Sequence, residues 1–454
     1  MILVHVALLS GQTAAFRAAL ESTVADLRDR AREEFQVGIG SLSIGGRLLE
    51  SKQNLEEVGL ADGDTVHATV QQACLVSSHT ARAFALIRSD GRVLTWGHPD
   101  TGGNSSRVQD QLHGVKEVQT TGRAFAAVLA SGGVVCWGHE EFGGNSSKVQ
   151  PLLRDVRRLC ASDGAFAAIL GDGRVAVWGD EYFGGQCSEA VRELSDVIDI
   201  QATERAFAAL CRSGRVVTWG RSDLGGCSDS VQNQLQSVQE VISSSGAFAA
   251  LLADGRVVSW GHPYFGGDSS SVSSECSELT LQSVQSVEAS CGAFAAILHD
   301  GSVVTWGARY YGGDSSKVHA DLHNVREVRA SGRAFAAIRH DGRVVTWGDK
   351  FSGGDCGAVR HDLQDVLQIQ SSQKAFAAIL GSGRVLTWGE ASSGGDSSSV
   401  QEELQNVRQI KGSQRAFAAI CENGRVVCWG DPECGGDGRM LQEQLQDVHF
   451  QRCG

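Results

Sequence analysis

The chain has 454 residues, 42% of them hydrophobic and 20% charged, which excludes a disordered polymer and leaves room for one domain plus a repeat array. Its formal charge of −13 is shared by the first 72 residues and the remainder, so phosphate backbones are repelled and nucleic acid is not an expected partner. No long apolar run and no secretory leader pattern occurs, so no membrane is expected, and thirteen scattered cysteines without a CxxC pair suit the cytoplasm or the nucleus.

Residues 2–9 (ILVHVALL) read as a strand, and AAFRAAL as a second. The segment STVADLRDRAREEF reads as a helix capped by Thr23, with Asp26 three residues on and Val24, Leu27 and Ala31 along one face. Short strands follow at SLSIGG and RLLE, then a turn region, then the strand TVHATV. This order, and the stretch GGRLLESKQNLEEVGLADGDTVHATV in particular, resembles the ubiquitin-like family. The resemblance implies a small α+β β-grasp domain over residues 1–72, with a docking patch at Leu9, Gly46, Arg47 and His67. Two further patch positions carry Ser43 and Thr69 where the family has apolar residues. The chain continues through VQQACLV instead of ending in a Gly-Gly tail, so conjugation through that end is not implied. The domain serves either as a folding cap or as a docking module.

From residue 73 onward the sequence is periodic. The nine tryptophans are Trp96, Trp137, Trp178, Trp219, Trp260, Trp306, Trp347, Trp388 and Trp429, 41 residues apart except for one interval longer by five. A phenylalanine in each AFAA-type segment keeps the same beat, from Phe84 to Phe417. Each unit reads as a hairpin, AFAAI and RVVTW around Asp-Gly, Ser-Gly or Asn-Gly, dipeptides that suit a two-residue type I′ turn. With Asn423-Gly424 as that turn, Ala418 falls opposite Trp429. Both hairpin faces are apolar, so one hairpin cannot bury itself and a row of copies can. A Gly-Gly turn, a polar DSS-like stretch and a further strand such as NVRQI complete a unit of three or four strands, the content of a propeller blade. The five extra residues fall near VSSECSEL, and the surplus DVHFQR is expected to form a strand that pairs with the first unit.

The segment DGRVVTWG, preceded by AFAAI and followed by a Gly-rich turn, resembles the repeats of the regulator of chromosome condensation family over residues 73–454. The 41-residue period is nearer that of the compact bacterial propeller that inhibits β-lactamases. Nine units leave three architectures open: a nine-bladed ring, a smaller ring with extra units, or an open superhelix. The resemblance implies a protein that presents loops to other proteins. Some members exchange nucleotide on a small GTPase, and others sit inside HERC-type ubiquitin ligases.

Chemistry of its own is sparse. Asp268, Asp314, Asp355, Asp396 and Asp437, with Asn104 and Asn145, either ring a cation or cap the turns that follow. The Ser-Ser pairs after them are phosphorylation candidates or turn residues. Arg92, Arg174, Arg215, Arg256, Arg343, Arg384 and Arg425 form either an anion ladder or a set of local pairs. His98, His139 and His262 share one repeat position, and His319 with His323 is an i, i+4 pair lacking further ligands. The expectation is a monomeric, cofactor-free and non-catalytic scaffold linked to the ubiquitin pathway, with a guanine-nucleotide exchange factor or a ubiquitin-ligase component as the alternatives.

Overall fold

A computed structural model describes residues 1–8, 11–35, 39–50, 52–70, 73–78, 80–88, 91–186, 189–270 and 283–438. In the first 70 residues, β1 (Ile2–Leu8), β2 (Thr13–Ala18), β3 (Ile39–Ile44), β4 (Arg47–Leu48) and β5 (Thr65–Val70) form one sheet in the order β2-β1-β5-β3-β4. β1 and β5 are parallel and the other pairs antiparallel. α1 (Val24–Phe35) packs Val24, Leu27 and Ala31 on that sheet, the β-grasp arrangement. Its start is a reciprocal box. Thr23 N–H donates to Asp26 Oδ2 (2.9 Å) and Asp26 N–H to Thr23 Oγ1 (3.1 Å), which holds the Asp26 carboxyl below its ordinary range.

Among the described residues nine three-stranded antiparallel sheets follow, one per tryptophan, hereafter blades 1 to 9. Blade 7 is representative: inner strand Val325–Ala330, middle strand Ala334–Arg339, outer strand Val344–Gly348. The middle strands are rich in alanine, a weak strand former, and burial explains the choice. Ala334, Phe335, Ala336, Ala337 and Ile338 are all fully buried. Blade 6 lays Ala293, Ala295 and Ile297 against Leu322, Val325, Val328, Phe335 and Trp347 of blade 7, so a thin alanine face meets a thick aromatic one.

The hairpin turn differs from the expected type I′. Cys421 N–H donates to the Arg425 carbonyl and Gly424 N–H to that of Cys421, which encloses a three-residue loop. Only Gly424, at φ +80°, enters the left-handed region; Asn423 does not. One extra loop residue moves the register by one, so Phe417 pairs with Trp429 and Ala418 with Cys428. The expected Ala418–Trp429 pair is therefore replaced by a stacked Phe417–Trp429 pair, ring centroids 5.2 Å apart, which recurs in every blade. The small-against-large contact exists between sheets, not within one.

The blades close into a nine-bladed ring. Each tryptophan Nε1–H donates to the carbonyl of the first glycine of the preceding Gly-Gly turn, as in Trp347 to Gly312 (3.0 Å). At the seam Trp96 of blade 1 donates to Gly435, which follows blade 9 (3.1 Å). Leu75, Phe84 and Trp96 share one core with Ala416, Ala418 and Ile420, and Arg82 pairs with Glu433 at 2.8 Å. The expected closing strand DVHFQR and the insertion near VSSECSEL lie outside the described residues. Blade 1 makes do with a three-residue inner strand, Cys74–Val76, in keeping with its departure from the Val-x-x-Val pattern.

Candidate functional site

One face of the ring carries two elements from every unit: the turn leading into the middle strand, and the short 3-10 turn before Gly-Gly. Buried Ser or Thr side chains tie them together. Ser290 Oγ donates to the Tyr311 carbonyl (2.7 Å) and accepts from Ala293 N–H (3.1 Å). Thr121, Ser162, Thr203, Ser244, Ser331, Ser372 and Ser413 repeat the first bond in their own units. Inside this tier the leading turns bond to one another around the axis. The belt runs Gly122 to Asp163, Glu204, Ser245, Cys291, Gly332, Gln373 and Gln414, and Gln414 N–H reaches Ala81 of blade 1 at 2.8 Å. The face is thereby a rigid annulus on which side chains vary freely.

They vary by sector. On blades 8, 9 and 1 the basic residue of the leading turn is ion-paired: Lys374 with Glu390 (3.3 Å), Arg415 with Asp431 (2.9 Å) and Arg82 with Glu433 (2.8 Å). Elsewhere, except in the Ser222–Leu224 turn of blade 4, the 3-10 turns carry aromatic rings instead. Arg123 lies over Phe142 (4.9 Å), Arg205 over Tyr182 (4.6 Å) and Phe183 (5.2 Å), and Arg333 over Tyr311 (5.2 Å). Where the leading residue is glycine a ring takes its space: a Cβ on Gly246 would meet Phe265 at 2.6 Å, and one on Gly292 would meet Tyr311 at 2.7 Å. Phe142 touches Phe183, and Tyr264 touches Tyr311, so rings of adjacent blades are in contact. Tyr182 (52% exposed), Tyr264 (50%), Tyr310 (77%) and Phe351 (67%) nevertheless remain open to solvent. These four rings share one position of the unit on blades 3, 5, 6 and 7, and exposed aromatic rings are among the side chains enriched at interfaces.

The channel inside the annulus is polar. A cavity of about 440 Å³ opens at its mouth, lined by residues that include Thr120, Asp163, Glu204, Ser245, Glu288 and Arg329. Inner strands add ion pairs between Arg158 and Asp199 (2.5 Å) and between Arg329 and Glu327 (2.7 Å). Lost hydration pushes the Glu288 carboxyl up to about 7, with Glu327 and Glu240 adding to the rise and Arg329 opposing it. Because the folded state holds this proton more tightly, its contribution to stability falls as pH rises from about 4.5 to about 7. The side chain is 33% open to channel water, which damps the effect. Glu288→Gln therefore flattens the fall in melting temperature between pH 5 and pH 8, and an unchanged slope in the variant would rule this group out as its source.

Of the residues singled out from sequence, all nine tryptophans are joint residues with buried indoles. Leu9 lies outside the described residues. Gly46 and Arg47 sit at the β3–β4 turn, where Arg47 reaches the Val58 carbonyl (2.5 Å), and His67 is exposed on β5. Leu48, Ser43 and His67 stand in one cross-strand row, and Leu48, which sequence reasoning passed over, is 64% exposed. Ser41 and Thr69 hydroxyls bond to each other beside it (2.6 Å). The Gly-Gly acids and amides are turn caps: Asp268, Asp314, Asp355 and Asp396 each accept a backbone N–H two residues on, as do Asn104 and Asn145. Hydrogen bonds from Ser270, Ser316 and Ser398 hold the Asp268, Asp314 and Asp396 carboxyls low. In place of an anion ladder, Arg174 and Arg256 fold onto Asp172 and Asp254 of their own turns, and Arg425 pairs with Glu403. His262 caps a 3-10 turn and His323 contacts Arg339, and among the described residues no group of three or more His, Cys, Asp or Glu is placed to hold a metal.

Fold and site together define a β-propeller whose one face bears an aromatic, cation-bearing arc. No protein-family model and no curated protein matches the sequence. Solved structures similar to it include Prp20p from Saccharomyces cerevisiae, 14% identical over 77% of this chain and 94% of that one, with a TM-score of 0.40. Yeast RCC1 (Prp20) in the structure of Kap60 bound to it is 13% identical over 82% and 93%, also with a TM-score of 0.40. The CRINKLY WD40 ectodomain of the Arabidopsis thaliana receptor kinase ACR4 is 17% identical over 59% and 90%, with a TM-score of 0.36. At such scores none of them bears on function, and the propeller is defined by its own sheets and joints.

Proposed function

We propose that the ring is a non-catalytic platform that holds partner proteins on the arc from Tyr182 to Phe351. The observation that carries this is the broken symmetry: nine nearly equal blades, with exposed rings of the 3-10 turns on blades 3, 5, 6 and 7 and Asp223 at the same position of blade 4. A non-catalytic role is supported by four of the thiols, since burial pushes Cys136 and Cys291 up to about 11 and Cys160 and Cys428 up to about 12, away from nucleophilic use, while Cys74 and Cys227 are exposed. A photo-crosslinking phenylalanine analogue placed at Tyr310 or Phe351 is expected to form a partner adduct that the same analogue at Ser392 or Glu433 does not. Equal adducts at all four positions would remove the sector from the reading.

The finer reading, a link to the ubiquitin pathway, is supported by the β-grasp unit with Gly46, Arg47, Leu48 and His67 on its surface. Titration of a ubiquitin-associated domain onto the full chain tests it. Binding that is lost in a His67→Ala, Leu48→Glu variant supports it, and no binding overturns it while leaving the ring's role untouched.

A further inference from the structure

We propose that the seam groove between blades 9 and 1 is a docking site for the segment 439–451 of this chain, with Leu445 and Val448 in its two apolar positions. The other joints show what such a groove holds. In blades 7, 8 and 9 the lead-in to the inner strand packs Leu322 with Val325, Leu363 with Val366, and Leu404 with Val407 into the joint core. The backbone of each valine is tied as well. Val325 N–H donates to the Gly301 carbonyl (2.9 Å), Val366 N–H to that of Gly342 (3.1 Å) and Val407 N–H to that of Gly383 (3.1 Å). Each acceptor is the hairpin-turn glycine of the preceding blade.

At the seam both features lack their counterpart. Leu75, Phe84 and Trp96 meet Ala416, Ala418 and Ile420, but among the described residues no leucine and valine stand where Leu404 and Val407 stand in the joint before it. The carbonyl of Gly424, the turn glycine of blade 9, likewise has no donor among the described residues. The cause is topological. Blade 1 is entered from the β-grasp unit, whose last strand ends at Val70, so the inner strand Cys74–Val76 begins without the usual lead-in. The missing residues follow blade 9 instead. Leu445-Gln446-Asp447-Val448 repeats Leu363-Gln364-Asp365-Val366, and Leu445 follows Gly436 at the nine-residue spacing that separates Leu404 from Gly395. Beyond Val448 the next places of the repeat are taken, because Cys74 and Leu75 already pair with Ile87 and Leu86. The docked part is thus Leu445 to Val448, shorter than a closing strand. Two apolar side chains leave water and an open carbonyl gains a donor, the terms that favour docking.

Native-state hydrogen exchange of the full chain, read by mass spectrometry on overlapping fragments, is the direct test. Val448 N–H is expected to be protected to within about tenfold of Val407 N–H, and exchange at the unprotected rate would overturn the proposal. Protection that fades on dilution, together with a dimer by light scattering, would overturn the assignment to the same chain. Leu445→Asp/Val448→Asp is expected to lower the melting temperature by roughly 5 °C. Gln446→Ser, whose counterparts Gln364 and Gln405 are exposed, should leave it unchanged. An added peptide of residues 439–451 should bind the double variant and restore its melting temperature. A double variant that melts like the parent, or a peptide that binds parent and variant alike, would also overturn the docking.

Discussion

Phe335→Ala is expected to lower unfolding free energy by about 3–5 kcal/mol, the range for removing a fully buried aromatic side chain. The ring has no exposure, stacks on Trp347 at 5.2 Å with an interplanar angle of 16°, and forms one core with alanines of blade 6. Its loss opens a void at the joint, and the alanine faces on both sides cannot move in to fill it, because backbone sets their approach. Urea unfolding followed by tryptophan fluorescence gives the number. A loss below about 1 kcal/mol would mean that blades are not held by these joints.

Gly312→Ala is the second large effect, expected at roughly 2–5 kcal/mol. Two costs add. The backbone at φ +92° is left-handed, about 1–2 kcal/mol for a residue with a Cβ, and that Cβ would lie 2.5 Å from the Phe335 ring, an overpacking term of about 1–3 kcal/mol. Gly114→Ala separates them. Gly114 also has positive φ (+62°), but its nearest neighbour would be 3.5 Å away, so only the backbone term applies. In a Phe335→Ala background, Gly312→Ala should likewise shrink to about 1–2 kcal/mol, since the atom it strikes is gone. Strict additivity in that double-mutant cycle would sink the explanation.

The repeating parts of this fold are legible in the sequence because each residue there answers to a regular neighbour. Trp and Phe keep their period, the alanine runs mark faces buried on both sides, and Thr23 with Asp26 announces the helix start. The hairpin register escaped because Asn423-Gly424 suits two loops of different length, and only the pairing partners of Phe417 decide between them. The Ser and Thr ties escaped because Ser290 and Tyr311 are distant in sequence and hydroxyls are common. The arc was visible in principle. Tyr182, Tyr264, Tyr310 and Phe351 occupy one position of the unit, which elsewhere holds Asp, Glu or Ser. In a repetitive chain, departures from the pattern point to use more directly than the pattern does.

The N-terminal unit enters the ring at blade 1, and the most open rings project from blades 5 to 7. On a circle of nine, that is close to half a turn away. The strand that opens the ring, Cys74–Val76, therefore stands across the disc from the most open rings, and the joints between blades fix that separation.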